Sequence, residues 1–248
     1  MSNLLTNREF WSKYWESKTD LAFPVSRNYL FHKQLEKIIS NNTIKNAIEL
    51  GGFPGYYAIF LKKHFGIDST LLDYFVHPTI LNEVLRANGL TTQDIKIIEN
   101  DLFNYQPQQQ YDMVLSCGLI EHFNDTKDII ERHIQFLKPG GVLFITLPNF
   151  KSVNGWVQKN FDKENYLKHN INCMDPNLLK QIALASGLKE VKAEYFGKFS
   201  VWLENKGEKS LLTRLFIKTL WFAGKVPTKL LGFESKAFSP YIVLEARK

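Results

Sequence analysis

Residues 111–147 read YDMVLSCGLIEHFNDTKDIIERHIQFLKPGGVLFITL, and this stretch decides the fold. It opens with a short apolar run of β type, Tyr111 to Cys117. Asp125 then stands where a helix N-cap belongs, and Ile129, Ile130, His133, Ile134 and Leu137 recur on one helical face. Lys138-Pro139-Gly140-Gly141 stops that helix, and Val142 to Leu147 forms a second apolar run. Strand, helix and strand in quick succession are the unit of a doubly wound parallel sheet.

The alternation continues in both directions. Further strands are expected at Ile44 to Leu50, Ser69 to Asp73, Ile95 to Asn100, Leu188 to Phe196 and Tyr241 to Ala246, seven in all. Pro54 suits a first helical turn whose helix stops at Gly66, and Asp175-Pro176 is an N-cap and N1 pair whose helix ends at Gly187. Three segments fall outside this core: residues 1–43, a helical arm, and residues 148–174 and 197–237. Ligands of open α/β sheets bind beyond the carboxyl ends of the strands, so these segments are expected to shape the acceptor side of a pocket.

Length and composition agree with this reading. A chain of 248 residues with 44% hydrophobic and 14% aromatic content suits one large α/β domain spanning 1–248. The formal net charge of +6 permits an anionic partner, but the charges are spread along the chain. The two cysteines, Cys117 and Cys173, lie in separate segments, so no disulfide framework or CxxC motif is available, and a reduced, cytoplasmic setting is expected. The charged start MSNLLTNREFWSKYWESK does not read as a secretory signal, and no apolar run is long enough for a bilayer. No histidine or cysteine spacing suggests a metal site.

The first strand runs into Glu49-Leu50-Gly51-Gly52-Phe53-Pro54-Gly55, where small residues allow a tight turn and let a ligand approach the backbone at a helix N-terminus. Asp73 ends the second strand, where a carboxylate can accept hydrogen bonds from both hydroxyls of a ribose. Asn100-Asp101-Leu102 ends the third, offering an acid for an adenine amino group and an apolar wall for the ring. Each of these also has a plain structural reading, as a strand-to-helix turn, a solvated loop acid and a turn.

With YDMVLSCGLIEHF and LKPGG in this order and spacing, residues 44–196 and the final strand at Tyr241 to Leu244 resemble the class I S-adenosylmethionine-dependent methyltransferases. The resemblance implies a Rossmann-like α/β fold: a doubly wound seven-stranded sheet, mostly parallel with an antiparallel last strand, and S-adenosylmethionine lying across the ends of the first four strands. It also implies that Glu49, Gly51, Gly52 and Gly55 bracket the methionine part, Asp73 the ribose, and Asp101 and Leu102 the adenine, while Ser116 and Cys117 supply backbone contacts. The family's middle loop glycine is replaced by Phe53, followed by Pro54. A nicotinamide dehydrogenase would also carry an acid after a glycine loop, but the GxGxxG spacing is absent.

In methyl transfer from a sulfonium the cofactor carries the reactivity and the protein aligns the acceptor, with a general base where the acceptor is a hydroxyl. His122, Glu121 and His169 are the candidates. The expected reaction is methylation of a small acceptor, such as an O-linked site on a sugar, lipid precursor or natural product. A degenerate, non-catalytic binding module and an RNA methyltransferase are the alternatives. Ser116-Cys117-Gly118-Leu119 stands where base methyltransferases place an Asn or Asp before Pro-Pro, which argues against nucleic acid, as does the lack of a separate basic arm. Phe10, Trp11, Tyr14 and Trp15 share a helical face, for which core packing is the first expectation, although a helix over the cofactor would use the same stripe. Leu211 to Lys225 reads as a basic amphipathic helix, expected to pack over the pocket, with peripheral membrane contact as the second reading.

Overall fold

The computed structural model describes residues 4–204, 206–231 and 234–248. The seven expected runs form one sheet: β1 Asn46–Leu50, β2 Asp68–Asp73, β3 Ile95–Glu99, β4 Tyr111–Cys117, β5 Leu137–Pro148, β6 Lys189–Phe196 and β7 Tyr241–Arg247. Their spatial order is β3-β2-β1-β4-β5-β7-β6. β1 to β5 pair in parallel, and β7 runs antiparallel between β5 and β6. The helices are α1 Arg8–Glu16, α2 His32–Ser40, α3 Tyr56–Phe65, α4 Pro78–Ala87, α5 Thr126–Phe136, α6 Val153–Phe161, α7 Lys163–Leu167, α8 Pro176–Ala185 and α9 Leu211–Leu231.

The two faces of the sheet follow from the period of two along a strand. Met113 and Leu115 of β4 point into a core made with α2, α3 and α4, whereas Val114 joins Ile129, Ile130 and Leu179 of α5 and α8 on the other side. Asp125 caps α5 by accepting from the Lys127 and Asp128 amides, and Asp175 caps α8 by accepting from the Asn177 amide, with Pro176 in its first turn.

Three expectations are corrected. Leu137 ends α5 and opens β5, pairing with Tyr111, so β5 begins five residues before Val142. Pro54 precedes α3 instead of entering it, and Gly55, at φ +90°, is the N-cap. Leu211 to Lys225, expected to pack over the pocket, packs instead along one narrow stripe against a separate small core. Ile217 is buried, and Leu220 and Trp221 lean on a small core of Val157, Phe199, Val201 and Leu203. Leu212, Leu215, Phe216 and Phe222 are exposed.

Candidate functional site

β1 delivers the chain into a turn that only glycine fits at two points. Gly51 adopts φ +60°, and a Cβ there would collide with the Leu119 side chain; one on Gly52 would collide with the Glu49 carboxylate. Glu49 lies folded beneath the turn, 2% exposed, accepting the Ala58 amide at 2.7 Å at the start of α3. Burial pushes its carboxyl up to about 8 against the opposing pull of the Ala58 and Tyr57 amides.

Asp73 at the end of β2 organises the next layer. Its Oδ2 accepts the Phe53 amide at 2.9 Å and its Oδ1 the Phe75 amide at 3.0 Å. Each carboxylate oxygen keeps further acceptor capacity. Burial pushes this carboxyl up to about 6, with the amides of Phe75, Phe53 and Tyr74 working the other way. Phe53, standing where the family's middle glycine belongs, turns its ring into the core against Trp15, at a centroid distance of 5.1 Å. The substitution therefore leaves the backbone amide in service.

Gly51, Asp73, Asp101, Leu102 and Gly118 line a cleft at the strand ends, closed from above by Leu4, Thr6, Trp11 and Trp15. A second cavity, of about 390 Å³, adjoins it and is lined by Tyr14, Tyr29, Tyr56, Glu121, Trp202 and Glu204 among others, with Glu49, Gly52 and Cys117 on its floor. Trp11, Trp15, Gly51, Gly118 and His122 face both. Two residues expected at the cofactor face neither cavity. Gly55 is spent as the α3 cap, and Ser116 is fully buried, its hydroxyl 2.8 Å from His133 Nε2. Its place on the cleft wall is taken by Gly118 and Leu119. His133 places its other ring nitrogen 2.7 Å from the Ile129 carbonyl, so it is fully engaged inside the fold.

The aromatic stripe near the N-terminus covers the cavities while leaning on the core: α1 has no buried residue, Trp11, Tyr14 and Trp15 form cavity walls, and Trp15 packs against the core beside Phe53. The segment is tied down at both ends. Leu4 forms a β-bridge with Phe123, and the Leu5 amide donates to the His122 carbonyl at 2.9 Å. Arg8 pairs with Glu99 and donates to the Tyr74 carbonyl, while Lys18 pairs with Glu204 at 2.6 Å.

Glu121, His122 and His169 come together although 47 positions separate the two histidines' segments in the chain. Glu121 and His122 belong to a 3-10 turn, Ile120–His122, that follows β4. The Asn170 amide donates to the Glu121 carbonyl at 2.7 Å, and Asn170 Nδ2 donates to the Phe123 and Asn124 carbonyls, which brings His169 alongside. The two imidazole centroids are 4.8 Å apart. His122 Nδ1 lies 3.1 Å from the Lys168 carbonyl and His169 Nδ1 2.7 Å from the Asn165 carbonyl. A carbonyl can only accept, so both Nδ1 atoms carry hydrogen and both Nε2 atoms present lone pairs in the neutral rings. Burial, with His169 adding to it, pushes His122 down to about 3, and burial lowers His169 as well. Burial raises Glu121 to about 8.

The acids fit a cationic cofactor. Glu49, Asp73 and Glu121 are buried around the two cavities, and among the described residues no lysine or arginine forms an ion pair with them. A sulfonium bearing an ammonium group beside them would favour their ionised forms. Asn170, Trp202, Glu204 and Tyr29 were beyond sequence reasoning, since they sit in loops without a motif.

Residues 25–193 match the family model described as a methyltransferase domain. Over 141 residues the chain is 25% identical to a trans-aconitate 2-methyltransferase of Escherichia coli, covering 54% of this chain and 51% of that protein. Over 144 residues it is 26% identical to malonyl-[acyl-carrier protein] O-methyltransferase 2 of Ilyobacter polytropus, covering 57% and 49%. The chain thus spans about half the length of the curated relatives it matches. Among solved structures, an Archaeoglobus fulgidus SAM-dependent methyltransferase aligns with a TM-score of 0.57 at 18% identity, over 90% of this chain and 95% of that one, a likeness of fold.

Proposed function

Because the chain belongs to the methyltransferase-domain family, we propose that it transfers a methyl group from S-adenosylmethionine to a hydroxyl of a small acceptor held in the second cavity. The observation that carries this reading is the shared wall: Trp11, Trp15, Gly51, Gly118 and His122 face both the cleft and the chamber, so groups bound in the two can meet.

Asp73 offers its remaining acceptor positions to ribose hydroxyls, Asp101 accepts from an adenine amino group, and Leu102 forms the wall against the ring. Glu49, Gly51 and Gly52 border the methionine end. When bound, the cofactor supplies an electrophilic methyl group on sulfur. The chain's own task is to align the acceptor, exclude water with the aromatic lid, and take up the acceptor's proton. His122, which lines both cavities and is unprotonated at neutral pH, is the assigned base, with His169 and Glu121 beside it. Cys117 is not a nucleophile, because burial pushes its thiol up and keeps it protonated. The acceptor class is a sugar, lipid precursor or natural product, and the exposed apolar face of α9 is the part assigned to an anionic lipid surface.

Isothermal titration with S-adenosylmethionine, followed by an assay for S-adenosylhomocysteine with candidate acceptors, tests the reading. Cofactor binding with product is expected. Preferential binding of NAD, or cofactor binding with no turnover on any hydroxylated acceptor, would overturn it. His122→Ala is expected to lose turnover while keeping most cofactor affinity.

A further inference from the structure

A general base needs one lone pair, and the cluster around His122 at the edge of the chamber holds more. The donor atoms of Glu121, His122 and His169 all lie within 4.8 Å of one another. Both histidines have their Nδ1–H committed to backbone carbonyls, of Lys168 and Asn165, which leaves Nε2 as the donor atom of each neutral ring. Metal-ligating histidines are held in this way, with the second ring nitrogen donating to a carbonyl or carboxylate. Glu121 is 1% exposed, and its Oε2 has no hydrogen-bond partner. Such a buried, unpaired carboxylate oxygen beside two imidazole lone pairs calls for a cation or a shared proton.

We propose that Glu121, His122 and His169 bind one divalent first-row transition-metal ion. A tetrahedral ion with ligand bonds of about 2.0–2.2 Å sets its donors about 3.3–3.6 Å apart, so side-chain rotations of about 1 Å close the set on binding. Two nitrogens and one oxygen suit a transition metal better than Mg²⁺ or Ca²⁺, which prefer all-oxygen shells. Asn170 builds the site by clamping the turn that carries Glu121 and His122 to the segment that carries His169. Three protein ligands leave coordination positions open, and Glu121 and His122 face the chamber, so an acceptor oxygen can occupy one of them. That positioning role rests on the methyl-transfer reading; the binding of the ion does not. With the ion in place the imidazole lone pairs would be coordinated and would no longer take the proton; the ion would instead stabilise the acceptor oxygen as its proton passes to solvent water.

The test is titration of chelator-treated protein with Co²⁺, followed by calorimetry and by visible absorption, then competition with Zn²⁺. One equivalent of Co²⁺ with a ligand-field spectrum of imidazole coordination, displaced by Zn²⁺, is expected. Glu121→Gln, which keeps the side chain's shape, and His169→Asn should each weaken binding at least about tenfold, and His169→Asn, at a residue that lines neither cavity, should leave S-adenosylmethionine affinity unchanged. Co²⁺ binding that is absent from the unmodified protein, or equal in the Glu121→Gln variant, would overturn the site. Undiminished methyl transfer in chelator together with no Co²⁺ binding would remove the ion and leave the methyltransferase reading standing. Stoichiometric, Glu121-dependent binding without methyl product would do the reverse.

Discussion

The cleft and the chamber are neighbours built on different principles. The cleft is lined mainly by residues 51–123, which sit at the ends of adjacent parallel strands, so sheet topology alone brings Gly51, Asp73, Asp101 and Gly118 together. The chamber draws Tyr14, Tyr29, Tyr56, Pro148, Trp202, Glu204 and Tyr241 from the whole length of the chain, including segments that belong to no strand. One is a property of the fold, and the other depends on how the segments outside the sheet pack over it. Backbone amides and short acids do the work in the first, aromatic walls in the second.

The sharpest way to break this contrast is Asp73→Ala. Its carboxylate holds the Phe53 and Phe75 amides and is assigned the ribose, so its loss should cost about 3 kcal/mol of cofactor binding, roughly a hundredfold in Kd by titration calorimetry. Unchanged affinity would mean that the cofactor is anchored elsewhere. Trp11→Ala probes the shared wall. Because Trp11 faces both cavities and packs edge-on against His122 at 5.1 Å, the expected loss is about tenfold in kcat/KM, read in steady-state kinetics. A loss confined to cofactor affinity would assign α1 to the cleft alone.

The same contrast explains what the sequence could reveal. All seven strands were legible because each is an apolar run bounded by a glycine, proline or cap signal, and the acids at the strand ends came with them. Phe53 was ambiguous, since a bulky residue in a glycine loop reads as an obstruction until its ring is seen turned toward Trp15. Ser116 was given a backbone contact with the cofactor by motif; strand alternation turns its side chain inward to His133, and it lines neither cavity. His169 could be suspected from its segment, whereas its approach to Glu121 depends on Asn170, whose three hydrogen bonds across a long sequence interval leave no periodic trace. The spacing of the proposed metal ligands is invisible for the same reason. The lid was underestimated because an aromatic stripe looks the same whether it faces a core or a cavity.

Titration separates the buried acids from the buried histidines. A carboxyl raised by folding contributes stability that is present below its ordinary value and lost as pH rises through the folded value, which is about 8 for Glu49 and Glu121 and about 6 for Asp73. A histidine lowered by folding, as His122 and His133 are, contributes stability that is present above about 6.5 and lost as pH falls. Between pH 6.5 and 8 the two glutamates dominate these changes, so the Tm of metal-free, cofactor-free protein should fall across that window. Glu121→Gln removes one of the two and should fall less, standing above the unmodified protein at pH 8 by at least about 2–4 °C, the equivalent of 1 kcal/mol in a chain of this size. Parallel curves in scanning calorimetry would show that Glu121 is already partnered in the free protein.

The smallest expected effect on turnover lies farthest from both cavities. Among the described residues none of α9 lines the cleft or the chamber, yet Leu212 is 79% and Phe222 66% exposed, and Trp156 of α6, close to Phe216, extends the apolar surface. The sequence of α9 carries Arg214, Lys218 and Lys225 and no Asp or Glu between Leu211 and Leu231. No helix among the described residues is long and apolar enough to cross a membrane, so an apolar face bordered by cations suits the surface of an anionic bilayer, with the helix lying in its plane. The protein should therefore sediment with anionic vesicles at low salt, less with neutral ones, and less again as salt screens the lysines and arginine. The double substitution Leu212→Asp and Phe222→Asp should abolish sedimentation while changing turnover on a water-soluble acceptor by less than about twofold, since surface changes remote from a site rarely exceed 0.5 kcal/mol. Lost sedimentation with intact turnover would separate a docking surface from the chamber it serves. A collapse of turnover in solution would instead place α9 among the elements that hold the chamber together.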